Sequence, residues 1–146
     1  MVTKKMFQAN RDSTIRMKAL LQDLSDQQLL SVMPNGWSVS VTLAHLAFWD
    51  NRVIHLIESS KKEGKVNPSN FEDSINDIME PFLRAIPAAE AAAMAVRNAE
   101  TLDLMLEECS DELLNQLDVV NHRWVDRSLH RNSHLDEIEA LLKTAD

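Results

Sequence analysis

His130 and His134 stand four residues apart, so on a helix their side chains lie one turn apart on the same face. Two imidazoles at that spacing can hold one divalent cation between them. The same spacing also fits two half-exposed histidines on a helix flank, so a third ligand is needed to choose. The segment reads His130-Arg131-Asn132-Ser133-His134 and lacks the glutamate of an H-E-x-x-H motif, which disfavours zinc metalloprotease chemistry. Of the remaining histidines, His45 sits among Val41, Trp49, Val53 and Leu56, all within about 80° of it at 100° per residue, and therefore points inward. His55 shares the polar edge with Asn51 and Glu58, and His122 is turned about 80° away from His130. Both are expected at the surface. His45, His130 and His134 are thus the candidate metal ligands.

Other side chains near these histidines carry charge where charge is uncommon. Asp50 falls on an otherwise apolar arc between Leu43 and Ile57, where it either bonds a neighbouring helix or takes part in catalysis. Arg131 interrupts the apolar stripe formed by Trp124, Ser128, Leu135, Ile138 and Leu142. It either anchors an anionic substrate group or pairs with a core carboxylate such as Asp50. Asp136 or Glu137 can orient a ligand histidine through its second ring nitrogen, or simply face water. Arg84 and Arg97 are expected in solvent. Trp37, Trp49 and Trp124 are expected to pack the core, Trp37 where that helix starts, with Trp49, one turn beyond His45, alternatively walling a pocket. Cys109 has Glu107, Glu108 and Asp111 around it, and negative neighbours disfavour a thiolate nucleophile.

Helices are the elements that must position these groups. The 146 residues include only two glycines and four prolines, too few turn formers for an all-β chain. Helical periodicity runs over about Lys4 to Leu24, from the N-cap Ser38 to about Lys61, over Ala88 to about Cys109, and over about Asn121 to Thr144. Between the second and third segments, Phe71 to Ala85 reads as a short helix interrupted at Pro81. Ser110 to Gln116 either prolongs the third helix or forms a separate turn. Four amphipathic helices with a connection too long for a hairpin predict an all-α, single-domain four-helix bundle over residues 1–146, with a crossover between helices two and three.

Composition narrows the function classes. Hydrophobic residues make up 45% and charged residues 26%, as in an ordinary globular chain. Lysine and arginine total 15 against 23 acidic residues, a net charge of −8, which disfavours nucleic acid and anionic lipid as partners. The uncharged stretch Val32 to Trp49 contains Pro34, Asn35 and Gly36 and does not suit a membrane span. A single cysteine and a start without an apolar signal core lead us to expect a cytoplasmic protein.

The stretch GWSVSVTLAHLAFWDNRVIHLIE (Gly36 to Glu58) resembles the second-helix signature of the DinB-like (YfiT-like) metal-binding bundles, and LHRNSHLDEIEALL (Leu129 to Leu142) is similar to their last helix. The resemblance implies a four-helix bundle, commonly a homodimer, holding a divalent metal on His45, His130 and His134. Zinc or nickel suits three imidazoles first, with iron or manganese as alternatives. It further implies a metal-dependent enzyme that activates water or a small thiol, acting as a hydrolase or thiol-dependent transferase on a small-molecule substrate. The chain departs from a fully equipped site in having no tyrosine and few acid/base partners near the histidines. The alternative is therefore a non-catalytic dimeric helical protein that binds a metal or another ligand without turnover.

Overall fold

A computed structural model describes residues 2–67 and 73–144. Among them are seven α-helices: α1 (Lys4–Gln22), α2 (Asp26–Leu29), α3 (Val39–Glu63), α4 (Ser74–Arg84), α5 (Ala88–Glu108), α6 (Asp111–Val120) and α7 (Ser128–Thr144). A single 3-10 turn, His122–Trp124, separates the last two. The fold is all-α, as the shortage of turn formers predicts.

α3 begins and ends where the sequence supplies a partner or a permissive conformation for its free backbone groups. The Ser38 hydroxyl accepts the Val41 amide at the start of α3, and Gly64, at φ 71°, closes the helix with its amide on the Ser60 carbonyl. That left-handed conformation costs glycine little and other residues more. Ahead of α3, the Pro34-Asn35-Gly36 segment forms a tight turn with the Gly36 amide bonded to the Met33 carbonyl. The turn delivers Trp37 beside the first turn of α3. α1 ends just before the polar cluster Ser25 to Gln28, which caps the one-turn helix α2 through a reciprocal Ser25–Gln28 capping box.

Two expectations about the connections need correction. Pro81 does not interrupt its helix, because α4 runs through it from Ser74 to Arg84. An interior proline costs about 3 kcal/mol, largely through the bond it cannot make to the preceding turn. Here the bereft carbonyl belongs to exposed Asp77, where water can serve it. Leu83 and Met79 anchor the helix against Val41, Ala44 and Ala91. Phe71, where that helix was expected to begin, and Pro68 lie outside the described residues. The last helix begins at Ser128 and not near Asn121. Asn121 is extended, and its side chain accepts the Arg123 amide, ending α6 and starting the 3-10 turn. Ser110 caps α6 through the Leu113 amide, so the polar segment after Cys109 is a helix of its own.

α3 packs most extensively on α5, while α1 lies against both α5 and α7, and α7 also meets α3. Met17, Leu43, Leu46, Ala95, Ala99, Leu135 and Ile138 fill one apolar cluster among these four helices. Val53, Leu102, Leu106, Leu117 and Trp124 fill another. Trp124 is therefore buried, although it belongs to the 3-10 turn and not to the α7 stripe.

The start of α7 is held from a distant part of the chain. Asn10 on α1 is 1% exposed. Its Oδ1 accepts the amides of Arg127 and Ser128 at 2.9 and 3.0 Å, and its Nδ2 donates to the Val125 carbonyl at 2.8 Å. These bonds satisfy amides that a helix start leaves without intrahelical partners. They also fix the direction in which α7 carries His130 and His134 past α3.

Among the described residues, no helix is long and apolar enough to cross a membrane.

Candidate metal centre

α3 and α7 bring the three predicted histidines together. The His45 and His130 ring centroids are 5.1 Å apart, His45 and His134 4.9 Å, and His130 and His134 4.9 Å. One ring nitrogen from each lies within 4.8 Å of the other two. His45 is buried and the α7 pair half-buried. The Nε2 atoms of His45 and His130 stand 3.1 Å apart. Two imidazole nitrogens on one ion at about 2.0 to 2.1 Å are separated by about 2.9 Å at a right angle and about 3.3 to 3.4 Å at a tetrahedral angle. The observed spacing lies between those values.

Burial makes the cluster a set of neutral donors. It pulls the His45 imidazole down to about 3, with His134 and the Arg127 charge adding to the effect. His130 falls to about 2, again chiefly through burial and then through Arg127. His134 is lowered by burial as well, with Glu137 opposing. All three rings are therefore unprotonated at neutral pH, the state a metal requires.

The second ring nitrogens are less well served. Metal-binding histidines usually donate that N–H to a carboxylate, a carbonyl or water. His45 Nδ1 and His134 Nδ1 are buried without a hydrogen-bond partner. Glu137 Oε2 stands 3.7 Å from His134 Nδ1, an ion-pair distance too long for a hydrogen bond. His130 Nδ1 faces Arg127 Nη2 at 3.3 Å. A guanidinium only donates, so His130 accepts at Nδ1 and its neutral form carries the proton on Nε2. In the protein without metal, His130 then donates to His45 across the 3.1 Å contact. A metal held on His130 Nε2 would require that proton on Nδ1 instead, facing the Arg127 N–H donors. The number, type and convergence of the donors fit a divalent ion, while Arg127 works against its affinity.

The cluster forms the floor of a cavity of about 880 Å³. Trp37 and Trp49 wall it, with ring centroids 5.0 and 6.3 Å from His45. The Trp49 indole N–H donates to Asn76 Oδ1 at 3.0 Å, which ties the wall to α4. Arg52, Arg123 and Glu137 also line the cavity.

The remaining candidates separate clearly. Asp50 is 1% exposed and pairs with neighbouring helices, accepting from Arg127 Nε at 2.9 Å and Arg131 Nε at 3.1 Å. Arg131 is fully buried, with Nη1 2.8 Å from Asp103 Oδ1 and 3.0 Å from Thr14 Oγ1. It pairs with core carboxylates and does not reach the cavity. Asp136 accepts from Arg16 at 2.6 Å, leaving Glu137 as the nearby acidic group beside a ligand. His55 and His122 are exposed, the latter bonded to Asp118 at 2.6 Å. Arg84 and Arg97 are exposed and paired with Glu80 and Glu90. Cys109 is buried, and burial pushes its thiol up, away from reactivity.

Sequence reasoning missed Arg52, Arg123 and Arg127. Two of them had a signal: Arg52 lies seven residues after His45, about 20° from it around the helix, and Arg127 lies three residues before His130. Arg123 belongs to an irregular turn, where periodicity has no purchase.

Compared with protein families, curated proteins and solved structures, the chain matches none.

Proposed function

We propose that α1, α3, α5 and α7 form a DinB-like four-helix bundle, with residues 64–87 as the crossover, and that His45, His130 and His134 bind one divalent metal ion at its open end. The observation that supports this most is the convergence of three neutral imidazoles from two helices on the floor of a cavity. A divalent ion there supplies a Lewis acid for water or a small thiol. The activity proposed is metal-dependent hydrolysis or thiol transfer on a small molecule. Trp37 and Trp49 shield the substrate from solvent. Glu137, at the cavity edge beside His134, is the carboxylate placed to take a proton from an incoming nucleophile.

The test is turnover. Zinc- and nickel-loaded protein, screened against esters, amides and thiol-conjugation pairs, should show activity that disappears in His45→Ala and falls in Glu137→Gln. A metal-loaded protein inert to every class would leave the binding-only reading, which the guanidinium behind His130 favours.

A further inference from the structure

Two helices carry the same pattern on their outward faces with opposite charge. Arg11, Ile15 and Lys18 on α1, and Glu100, Leu104 and Glu107 on α5, are both spaced at i, i+4 and i+7, so each trio lies within about 60° around its helix. The two helices run antiparallel, with Lys18 Nζ 2.6 Å from Glu100 Oε1, Thr14 Oγ1 donating to Asp103 at 2.6 Å, and Arg11 paired with Glu107. These contacts set Ile15 level with Leu104 between the two ion pairs. Both side chains are open to solvent, 62% and 59% exposed. The face is thus a basic row beside an acidic row, each with a branched apolar residue at its centre. α1 packs on α5 and α7, and α3 packs on the same two helices, so this face is turned away from the α3–α7 contact that carries the histidines.

We propose that a second copy of this chain docks on the α1–α5 face, with the two-fold axis parallel to the helices. That operation lays each α1 on the partner's α5 at the same height, so Arg11 meets the partner's Glu107, Ile15 the partner's Leu104, and Lys18 the partner's Glu100. A two-fold axis across the helices would instead lay α1 on α1, with Arg11 on Lys18, and α5 on α5, with Glu100 on Glu107. Charge selects the first arrangement. In it, each ion pair within a chain joins its counterpart in a square of four alternating charges around an apolar seam, whereas an isolated exposed pair contributes little. Arg97, one turn before Glu100, is tied to Glu90 at 3.4 Å and does not break the acidic row. Each copy carries −8, but screening over about 8 Å at physiological ionic strength leaves the nearest charges to decide. α1 is 19 residues long, about 28 Å at 1.5 Å per residue, so a face two helices wide gives an interface of the small, reversible class. The interface needs neither the metal nor the cavity.

The experiment is sedimentation equilibrium of tag-free, metal-free protein at physiological ionic strength, from about 10 to about 500 µM. The parent should pass from monomer to dimer within that range. Ile15→Asp and Leu104→Asp, both at exposed positions, should each weaken association at least about tenfold, because a charge then enters the apolar seam, while the thermal midpoint of the dilute monomer stays unchanged. Arg11→Glu/Lys18→Glu carries acid in both rows, and Glu100→Lys/Glu107→Lys carries base in both. Each alone should remain monomeric, and an equimolar mixture of the two should pair. Mild oxidation reads the orientation: Ile15→Cys mixed with Leu104→Cys should form a disulfide between chains, with Cys109 buried out of reach, and Ile15→Cys alone should not. A parent monomeric throughout, a dimer unaffected by Ile15→Asp and Leu104→Asp, a mixture of the reversed variants that does not pair, or Ile15→Cys linking to itself would overturn the proposal.

Discussion

Two buried polar regions lie side by side in this protein, and they differ in how their hydrogen-bonding groups are served. In the core, Asp50 and Asp103 accept from Arg127 and Arg131, Thr14 accepts from Arg131 and donates to Asp103, and Asn10 closes the start of α7. Charge there is answered within the chain. A few ångströms away, His45 Nδ1 and His134 Nδ1 have no partner, and three imidazoles crowd together in an open cavity. A buried polar atom without a partner costs about 1 to 3 kcal/mol. The first region holds helices in place, whereas the second retains unsatisfied groups that something from outside can engage.

The widest contrast should come from truncation. Asp50→Ala leaves Arg127 without its carboxylate partner and Arg131 with Asp103 alone, and breaking a buried pair costs about 3 to 5 kcal/mol. Urea denaturation should show that loss, while metal-free His45→Ala stays within about 1 kcal/mol of the parent, because it also removes an orphaned N–H. Comparable losses in the two variants would erase the distinction.

Arg127 belongs to both regions, so Arg127→Gln sharpens the comparison. The variant loses the Asp50 ion pair and should unfold about 2 to 3 kcal/mol more easily. A glutamine carbonyl can nevertheless accept the N–H of a metal-bound His130, which the arginine cannot. Zinc affinity by competition with a chromophoric chelator should rise about tenfold. Weaker zinc binding in a folded variant would show that Arg127 supports the site.

A further effect is on pH. Burial holds His45 down to about 3 and His130 to about 2, from 6.5. Between those values and 6.5 the unfolded chain binds more protons than the folded one, so folding is favoured less as pH falls. The metal-free protein should keep its full stability above pH 6.5 and lose it progressively below. His45→Ala/His130→Ala should flatten that decline in thermal melts at pH 7, 6, 5 and 4. At the small end, Lys18→Ala removes an exposed pair with Glu100 and should change stability by less than about 1 kcal/mol.

Much of the histidine site was legible because helical geometry is local. The 100° step placed His45 inward and His130 with His134 on one flank, and all three meet. The same step put Asp50 and Arg131 on apolar arcs, and they pair. What escaped depends on neighbours distant in sequence. Nothing near Asn10 announces that it caps a helix 117 residues away. Nothing in the sequence around Asp103 marks it as the partner of Arg131, 28 residues further on. Pro81 was read by its local cost alone, which packing of Leu83 and Met79 offsets. Asn121 carried a readable capping signal within a stretch whose periodicity pointed to continuous helix.

The most direct test of the account is metal content. Protein purified without an affinity tag, reconstituted with zinc or nickel and desalted, should retain about one ion per chain by elemental analysis, and His130→Ala should lose it. Less than about 0.1 ion per chain in the parent, or an unchanged content in His130→Ala, would contradict the assignment of His45, His130 and His134 as a metal centre.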